Sequence, residues 1–340
     1  NYDLDSFPLQ VFVGVRRSGK SFLLFQKMHQ MLDEGHTWAD MLYLDFEDTR
    51  LGGFSAEDFN LILECHQEMY GKRPMLFFDE MQNIEGWEKF ARNLADKKYS
   101  VFITGSNAKM LSSELSTYLS GRCVEYHIQS LDYAEFLVSH RLSEDNRSLI
   151  AYLNHGGMPQ LSRIGLDERD LVSDYLQSVY NTIILKDVVE REDIRNVSLL
   201  KNLVRFVSDN IGKPFSATSI VKYLKSQKVD SSTKVIISYL DYLCNAFIIH
   251  RVNRYDIHGK RLFEINDKFY FEDVGIRNSL VRGGLAQSIE KIIENAVYLH
   301  LVRLGYEVTV GYLQKTEIDF VARKNDSTIY IQATYLLFSE

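Results

Sequence analysis

The chain has 340 residues, a length that predicts two or three domains rather than a single core. Its hydrophobic content of 45% is that of a soluble globular protein, and no apolar run reaches the roughly 18 residues that span a bilayer. The net charge of −7 argues against a simple nucleic-acid-binding protein, while three scattered cysteines argue against a disulfide framework or zinc site and favour a reducing cytoplasm.

The first predicted elements are a buried strand, Leu9 to Val13, and a helix, Phe22 to Leu32, on either side of residues 14–21 (GVRRSGKS). These eight residues fit G-x-x-x-x-G-K-[ST], and strand–loop–helix is the context that a P-loop requires. Backbone N–H groups of such a loop hold phosphate oxygens at the helix N-terminus. Lys20 can reach the β- and γ-phosphates of ATP, and the Ser21 hydroxyl can bind Mg²⁺. The predicted nucleotide-binding residues are Gly14, Arg17, Ser18, Gly19, Lys20 and Ser21. The alternative is a chance match in a glycine-containing turn.

Four more apolar segments predict the remaining strands of a parallel sheet, because continuous apolar runs are typical of strands that helices cover on both faces. These strands are Met41–Phe46, Met75–Phe78, Val101–Thr104 and Cys123–Ile128, with helices at Ala56–Met69 and Trp87–Lys97 between them. The alternation predicts an α/β fold with a doubly wound parallel sheet, whose ligand lies at the carboxyl ends of the strands.

The third predicted strand ends in Asp79 and Glu80, the arrangement of a Walker B motif. Asp79 is then expected to hold Mg²⁺ together with Ser21, and Glu80 to activate the attacking water. The alternative is an acidic surface turn. The P-loop about sixty residues earlier favours the Walker B interpretation.

The fourth strand ends in small polar residues, and Asn107 is a candidate to orient the water or sense the γ-phosphate. A helix N-cap would also explain Ser106 and Asn107. Arg122, just before the fifth strand, is a candidate to stabilise transition-state charge, in a neighbouring subunit of a homo-oligomer. A surface salt bridge is the alternative role for Arg122.

From about residue 130 the predicted elements are mostly helices, interrupted by a Gly-Gly-Met-Pro turn at residues 156–159. The predicted helices are Leu131–Arg141, Ser148–Asn154, Glu168–Glu192, Ser198–Asn210, Ala217–Ser226 and Ser232–Cys244, with Ser216 and Ser231 as N-caps of the last two. Phe247–Tyr255 and Lys260–Phe271 then predict a hairpin. Three helices followed by a hairpin is the order of a winged helix-turn-helix. The tail predicts a helix from Gln287 to Leu304 and strands at Tyr306–Val310, Glu317–Ala322 and Thr328–Thr334.

The charge is unevenly distributed, with twelve Lys or Arg against four Asp or Glu from Arg195 to Arg261. This segment therefore carries +8 and the rest of the chain −15, which favours a surface for a polyanion such as duplex DNA. A solvated face, or a winged helix that docks on a protein, is the alternative. The candidate DNA contacts are Lys222, Lys225, Lys228, Lys234, Arg251 and Arg254, with Lys260 and Arg261 near the wing.

Taken together, these motifs resemble the bacterial and archaeal AAA+-type P-loop ATPases that carry a C-terminal domain of unknown function. The matching stretches are 14–21, Tyr43–Asp48, Phe77–Trp87, Thr104–Asn107, Tyr118–Arg122, Tyr152–Pro159, Lys186–Arg191 and Glu317–Val321. The resemblance implies ATP binding and hydrolysis, a winged helix, a C-terminal fold similar to PD-(D/E)XK nucleases, and a protein that extends beyond both ends of this sequence.

In the nuclease fold, an Asp on one strand and a Glu-x-Lys on the next hold Mg²⁺ and position water. Asp319 matches the first position and Glu294 is a candidate further ligand, but the second motif reads Gln332-Ala333-Thr334. Because neutral Gln is a poor Mg²⁺ ligand, we expect a degenerate site without nuclease activity.

The expected organisation is a P-loop ATPase domain at residues 1–130, a helical lid or linker at 131–195, a winged helix at 196–284 and a small α/β nuclease-like domain at 285–340. The leading hypothesis is a DNA-associated ATPase with ATP and Mg²⁺ as cofactors. The alternatives are an ATP-dependent nuclease, a small-molecule kinase, and an ATP-driven regulatory switch that acts on a protein partner.

Overall fold

The computed structural model describes residues 9–111, 123–257, 261–262, 266–281, 288–313 and 316–335, and the chain divides into two compact units after Ile128. Within these ranges, no helix has the length and apolar character needed to cross a membrane.

The first unit is a parallel sheet with helices between its strands, as predicted. Its strands are β1 (Leu9–Val13), β2 (Met41–Asp45), β3 (Met75–Asp79), β4 (Val101–Gly105) and β5 (Cys123–His127). Its longer helices are α1 (Lys20–Asp33), α2 (Phe59–Tyr70) and α3 (Trp87–Asp96). The strand order is β2-β3-β4-β1-β5, so β4 lies between the P-loop strand and the Walker B strand. The carboxyl ends of these three strands therefore meet at one edge of the sheet.

The sheet is held at its centre by an apolar core. Every residue of β1 and of β4 is buried, because each of these strands pairs on both sides. Leu24, Met28 and Met31 of α1 pack with Phe12 and Phe77 of the sheet. The apolar face of α1 thus fixes the helix whose N-terminus carries the P-loop.

The second unit begins with helices. They are α4 (Tyr133–His140), α5 (Asn146–His155), α6 (Leu161–Ile164), α7 (Arg169–Thr182), α8 (Val197–Asp209), α9 (Ala217–Ser226), α10 (Thr233–Asn245), α11 (Val274–Leu280) and α12 (Ile289–Arg303). The predicted helix from Glu168 to Glu192 is not uniform, because α7 continues as a π-helix from Ile183 to Glu190.

Two details of the helices correct the sequence-based expectations. Ser216 caps α9 as predicted, but Ser231 is not the cap of α10: the Ser232 hydroxyl accepts the N–H of Val235, so the helix begins one residue later. Helix α11 was not predicted. Its N-cap is Asp273, a buried carboxylate that accepts N–H groups from Ile276 and Gly157, a long-range contact that no local pattern reveals.

The strands of the second unit form two sheets. They are β6 (Ile249–Val252), β7 (Arg254–Asp256), β8 (Arg261–Leu262), β9 (Lys268–Phe271), β10 (Glu307–Leu313), β11 (Thr316–Lys324) and β12 (Ser327–Ile331). At the base of the predicted hairpin, β6 and β9 pair antiparallel. Further along the hairpin, β7 and β8 also pair antiparallel, and β7 pairs parallel with β10 on its other side, in a sheet of order β12-β11-β10-β7-β8. The predicted antiparallel pairing of the two segments is therefore present, although each segment is divided into two short strands that belong to different sheets.

Candidate functional site

The loop between β1 and α1 has the backbone of a phosphate cradle. A side chain at Gly14 would place its Cβ 2.1 Å from the carbonyl oxygen of Ile128, so only glycine fits there. Gly19 has a φ of 103° and open space around its Cα, which suits close approach by a ligand. The N–H of Gly14 donates to the carbonyl of Gly105 at 3.3 Å, which ties the loop to the end of β4.

The side chains of the loop differ in exposure. Lys20 is 4% exposed, and its Nζ donates to the carbonyls of Gly14 and Val15 at 3.1 Å each. Ser21 is partly buried in the first turn of α1, and Arg17 is exposed with a φ of 69°. The ammonium of Lys20 therefore lies against the loop, where it can contact the oxygens of a bound phosphate.

Ser18 presents an unpartnered hydroxyl inside the loop. The residue is 5% exposed, and its Oγ has no hydrogen-bond partner among the described residues. A buried hydroxyl without a partner costs free energy, on the order of 1–3 kcal/mol. A phosphate oxygen in the cradle would accept this hydrogen bond.

Asp79 at the end of β3 is held by two hydroxyl groups. Thr104 of β4 donates to Oδ1, and Tyr43 of β2 donates to Oδ2 at 3.0 Å. Burial, together with the charge of Asp79, raises the pKa of the Tyr43 hydroxyl, which therefore remains a donor. Each carboxylate oxygen keeps a second lone pair for a cation or for a water bound to one.

Glu80 begins the loop after β3 in a left-handed conformation, with a φ of 53°. Its N–H donates to Thr104 Oγ1 at 3.0 Å, and its Oε1 lies 3.9 Å from Lys20 Nζ. Backbone strain of this kind is concentrated at functional sites. Glu80 is thus brought to the same edge of the sheet as the P-loop.

The polar residues after β4 lie near this edge. Ser106 is fully buried, and its Oγ accepts a hydrogen bond from Gln82 Nε2 at 3.2 Å. Asn107 is 6% exposed, and its Oδ1 accepts the N–H of Lys109 at the start of a short turn of helix, which is the capping role considered as the alternative. Arg122 lies outside the described residues.

Four lysines of the basic segment face solvent. Lys222 and Lys225 are on α9, Lys228 follows it, and Lys234 is in the first turn of α10. All four are exposed, and none forms an ion pair with a residue that the structure describes.

The two candidate arginines contact other residues of the second unit. The Arg251 guanidinium lies 2.8 Å from Asp241 Oδ1 and 3.7 Å from Asp267 Oδ2. Arg254 is half-buried and lies over the ring of Tyr312, 4.6 Å from its centroid. Arg251 is exposed and Arg254 is half-buried, and their contact with DNA remains a prediction. Lys260 lies outside the described residues.

The predicted nuclease-like residues meet around an unexpected cation. Lys268 of β9 is 1% exposed, and its Nζ lies 2.8 Å from Glu294 Oε1, 2.8 Å from Glu317 Oε1 and 3.7 Å from Asp319 Oδ1. Burial lowers the pKa of Lys268, but the neighbouring Glu294 and Glu317 together more than compensate, so the pKa is raised and the ammonium stays charged. An ammonium thus stands among the carboxylates.

The remaining contacts of this cluster also satisfy its carboxylates. Asp319 Oδ2 accepts hydrogen bonds from Gln332 Nε2 at 2.7 Å and from the N–H of Ala333 at 2.9 Å. The Tyr270 hydroxyl donates to Glu294 Oε1 at 2.5 Å. In the described ranges, no group of three or more His, Cys, Asp or Glu side chains is arranged to hold a metal ion.

Sequence reasoning missed several residues of both sites. Tyr43, Gln82 and Thr104 complete the first, and Lys268, Tyr270 and Glu317 complete the second. Tyr43 and Thr104 could have been found from the sequence, because both lie near the carboxyl ends of predicted strands, where the ligand is expected. Nothing in the sequence pairs Lys268 with Glu294.

The P-loop site fits ATP with Mg²⁺. Three observations support this: the cradle at Gly14, the buried hydroxyl of Ser18, and the carboxylate and hydroxyl donors of Asp79 and Ser21. Hard oxygen donors of this kind are the ligands that Mg²⁺ prefers.

Comparisons with known proteins identify domain families and relatives of this chain. Residues 6–137 match the AAA domain family, and residues 146–287 match a domain of unknown function, DUF8612. An uncharacterised protein of Haemophilus influenzae is 35% identical over 97% of this chain and 83% of its own length. Another, of Methanocaldococcus jannaschii, is 31% identical over 98% of this chain and 72% of its own.

A solved structure shares the fold. A Walker-type ATPase of Pyrococcus abyssi superposes with a TM-score of 0.53 and 15% sequence identity, over 82% of this chain and 92% of that one. The N-terminal unit is thus a P-loop domain of the AAA type, which places the chain in the general class of ATPases.

The unpartnered hydroxyl generates a first prediction. Ser18→Ala should keep or raise the unfolding free energy of the nucleotide-free protein, by up to about 1–3 kcal/mol, because it removes a buried hydroxyl that has no hydrogen bond. The same variant should weaken ATP binding by about 5- to 10-fold, the worth of one hydrogen bond. Urea unfolding and fluorescent-nucleotide titration measure the two effects.

The control is Ser208→Ala, which removes a buried serine whose hydroxyl donates to the carbonyl of Val204 at 2.8 Å. It should lower stability and leave nucleotide affinity unchanged. Wild-type affinity in Ser18→Ala would show that this hydroxyl does not meet the nucleotide.

Proposed function

We propose that this chain, which belongs to the family of its bacterial and archaeal relatives, is a Mg²⁺-dependent ATPase whose P-loop unit binds and hydrolyses ATP. The observation that carries the proposal is the meeting of Lys20, Asp79 and Glu80 at one edge of the sheet. The strand order accounts for it, since β4 separates β1 from β3 by one strand.

The residues divide into binding and chemistry. The backbone of residues 14–19 and Lys20 hold the phosphates, with Arg17 and Ser18 as further loop contacts. Ser21 and Asp79 would hold Mg²⁺, which supplies neutralisation of charge on the phosphate oxygens when bound. Glu80 takes a proton from water as the water oxygen bonds to the γ-phosphorus, and the bond to the bridging oxygen breaks to release ADP and phosphate.

Two further residues belong to the proposal. Asn107 orients the water or senses the γ-phosphate through the part of its amide that does not cap the following turn. Arg122 stabilises transition-state charge, in a neighbouring subunit if the protein forms a homo-oligomer.

The second prediction tests the chemistry. Glu80→Gln should bind ATP and lose turnover by about 10²-fold or more, the scale of a positioned general base. Lys20→Ala should lose nucleotide binding, because it removes the ammonium over the loop. Phosphate release and nucleotide titration are the measurements, with Lys72→Ala, which removes a surface ion pair with Asp40, as the control. Wild-type turnover in Glu80→Gln would contradict the assignment.

We further propose that the second unit binds duplex DNA through a winged helix formed by α8, α9, α10 and the β6–β9 pair. The support is the set of four exposed lysines on and around α9 and the start of α10, the helix that would enter the major groove. Lysines of this kind contact phosphates, so they give affinity without sequence preference. The nucleotide state of the first unit would then control DNA binding, or contact with a protein partner in the regulatory alternative.

The third prediction concerns these lysines. Reversing Lys225, Lys228 and Lys234 to Glu should weaken duplex binding at 50 mM salt by at least about 10²-fold, and wild-type affinity should fall steeply as salt rises. The control is the reversal of Arg92, Lys97 and Lys98, which changes the charge equally in the first unit. Fluorescence anisotropy with a labelled duplex measures both. A folded wild-type protein that fails to bind DNA at 50 mM salt would favour the protein-docking alternative.

We propose that the nuclease-like tail does not cleave DNA, because the Lys268 ammonium stands among the carboxylates that a catalytic Mg²⁺ would need. Gln332 stands where a second acidic ligand would be needed, and its neutral amide donates a hydrogen bond to Asp319 instead. The degenerate site of Glu294, Asp319 and Gln332 then has a structural role.

The fourth prediction follows from this arrangement. Supercoiled plasmid should remain intact with the wild-type protein in Mg²⁺ or Mn²⁺. Lys268→Met should lower the unfolding free energy by about 3–5 kcal/mol, because removing one partner leaves buried carboxylates without compensation. The milder control is Lys291→Met on α12, which removes a hydrogen bond from Nζ to the Asp209 carbonyl. Plasmid nicking that disappears in Asp319→Asn would contradict the proposal.

A further inference from the structure

Gln82 connects the candidate base to the neighbouring strand. Its Nε2 donates to Glu80 Oε2 at 2.5 Å and to Ser106 Oγ at 3.2 Å. We propose that Gln82 is a positioning residue for hydrolysis, which holds one oxygen of the Glu80 carboxylate and leaves the other toward Lys20 and the nucleotide. This inference rests on the proposed function and adds a residue to its machinery.

The chemistry of the contact fixes the orientation of the amide. The Glu80 carboxylate only accepts hydrogen bonds, so the amide atom nearest to it must be the NH₂ group. A flipped amide would place two acceptor oxygens against each other. Gln82 Oε1 therefore points away from Glu80, and it has no hydrogen-bond partner among the described residues.

The backbone of β4 has a shape that admits this side chain. A Cβ added at Gly105 would lie 2.6 Å from Gln82 Oε1 and 2.0 Å from Met110 Sδ. Because Gly105 carries no side chain, the Gln82 amide can cross the carboxyl end of β4 to reach Ser106. The amide is thus confined by Gly105, Met110, Glu80 and Ser106 together.

The hydrogen bond from Gln82 fixes the orientation of the Glu80 carboxylate. Glu80 has a single Oε1 available to face Lys20, at 3.9 Å, because Oε2 is bonded to Gln82. Without the amide, the carboxylate could rotate about its last side-chain bonds and present either oxygen in several directions. Holding a general base in one orientation is the part of catalysis that a positioning residue supplies. Gln82 itself exchanges no proton in the step.

The test is Gln82→Met, which keeps the length and shape of the side chain and removes both hydrogen bonds. We expect kcat to fall by about 10- to 100-fold, with KM and ATP affinity within about threefold of wild type. The control is Gln30→Met on α1, which removes an exposed Gln–Glu hydrogen bond of 2.7 Å to Glu34 and should keep wild-type kcat. A wild-type kcat in Gln82→Met, or a loss confined to ATP affinity and stability, would overturn the inference.

A double-mutant cycle with Glu80→Gln separates this role from a general loss of structure. If Gln82 acts through Glu80, adding Gln82→Met to Glu80→Gln should change the residual rate by less than about twofold. Full additivity of the two losses would contradict the inference. If instead the proposed function itself is wrong, the Glu80→Gln variant alone would hydrolyse ATP at the wild-type rate, which distinguishes the two failures.

Discussion

The insertion of β4 between β1 and β3 is the constraint on which the nucleotide site depends. Val101 pairs with Leu9 on one side and with Leu76 on the other, so two backbone ladders set the separation of the P-loop from the Walker B strand. The same strand supplies Thr104, whose hydroxyl meets both Asp79 and the N–H of Glu80. The last residue of β4, Gly105, supplies the carbonyl that accepts the Gly14 N–H, and Ser106 comes directly after it in the chain. One buried strand thus aligns the binding and reacting groups.

The sequence predicts those parts of the fold and site that depend on local patterns. Apolar runs mark all five strands of the first unit, and the P-loop and the Asp79–Glu80 pair are contiguous motifs. Strand order cannot be read in this way, since β4 comes after β3 along the chain but lies between β3 and β1. The role of Gln82 depends on that order, because Ser106 becomes its neighbour only in the folded sheet. The parallel partner of β7 could not be read from local patterns either, because β10 lies about fifty residues later in the chain.

Two buried lysines illustrate how surroundings decide the role of one residue type. Lys20 and Lys268 are almost equally shielded from solvent, at 4% and 1% exposure. Lys20 Nζ donates to two neutral carbonyls and lies 3.9 Å from one carboxylate, in a loop whose backbone is shaped to hold a polyphosphate. Lys268 has two carboxylates at 2.8 Å and a third at 3.7 Å, so its charge is already compensated within the protein. The first environment favours an incoming anion, and the second leaves no place for an incoming cation.

The parallel pairing of β7 with β10 limits which segments of this chain can be exchanged by recombination during evolution. The DUF8612 match ends at residue 287, whereas β10, β11 and β12 lie beyond it. Hydrogen bonds across that boundary join the hairpin segment to the tail, with Val310 N–H donating to the Asn253 carbonyl and Ile257 N–H to the Tyr312 carbonyl, both at 3.0 Å. A recombination event that exchanged the tail alone would leave β7 with unsatisfied backbone groups and an open edge. Natural exchange of segments should therefore carry both sides of the boundary together, so that the evolutionary module is larger than the matched domain.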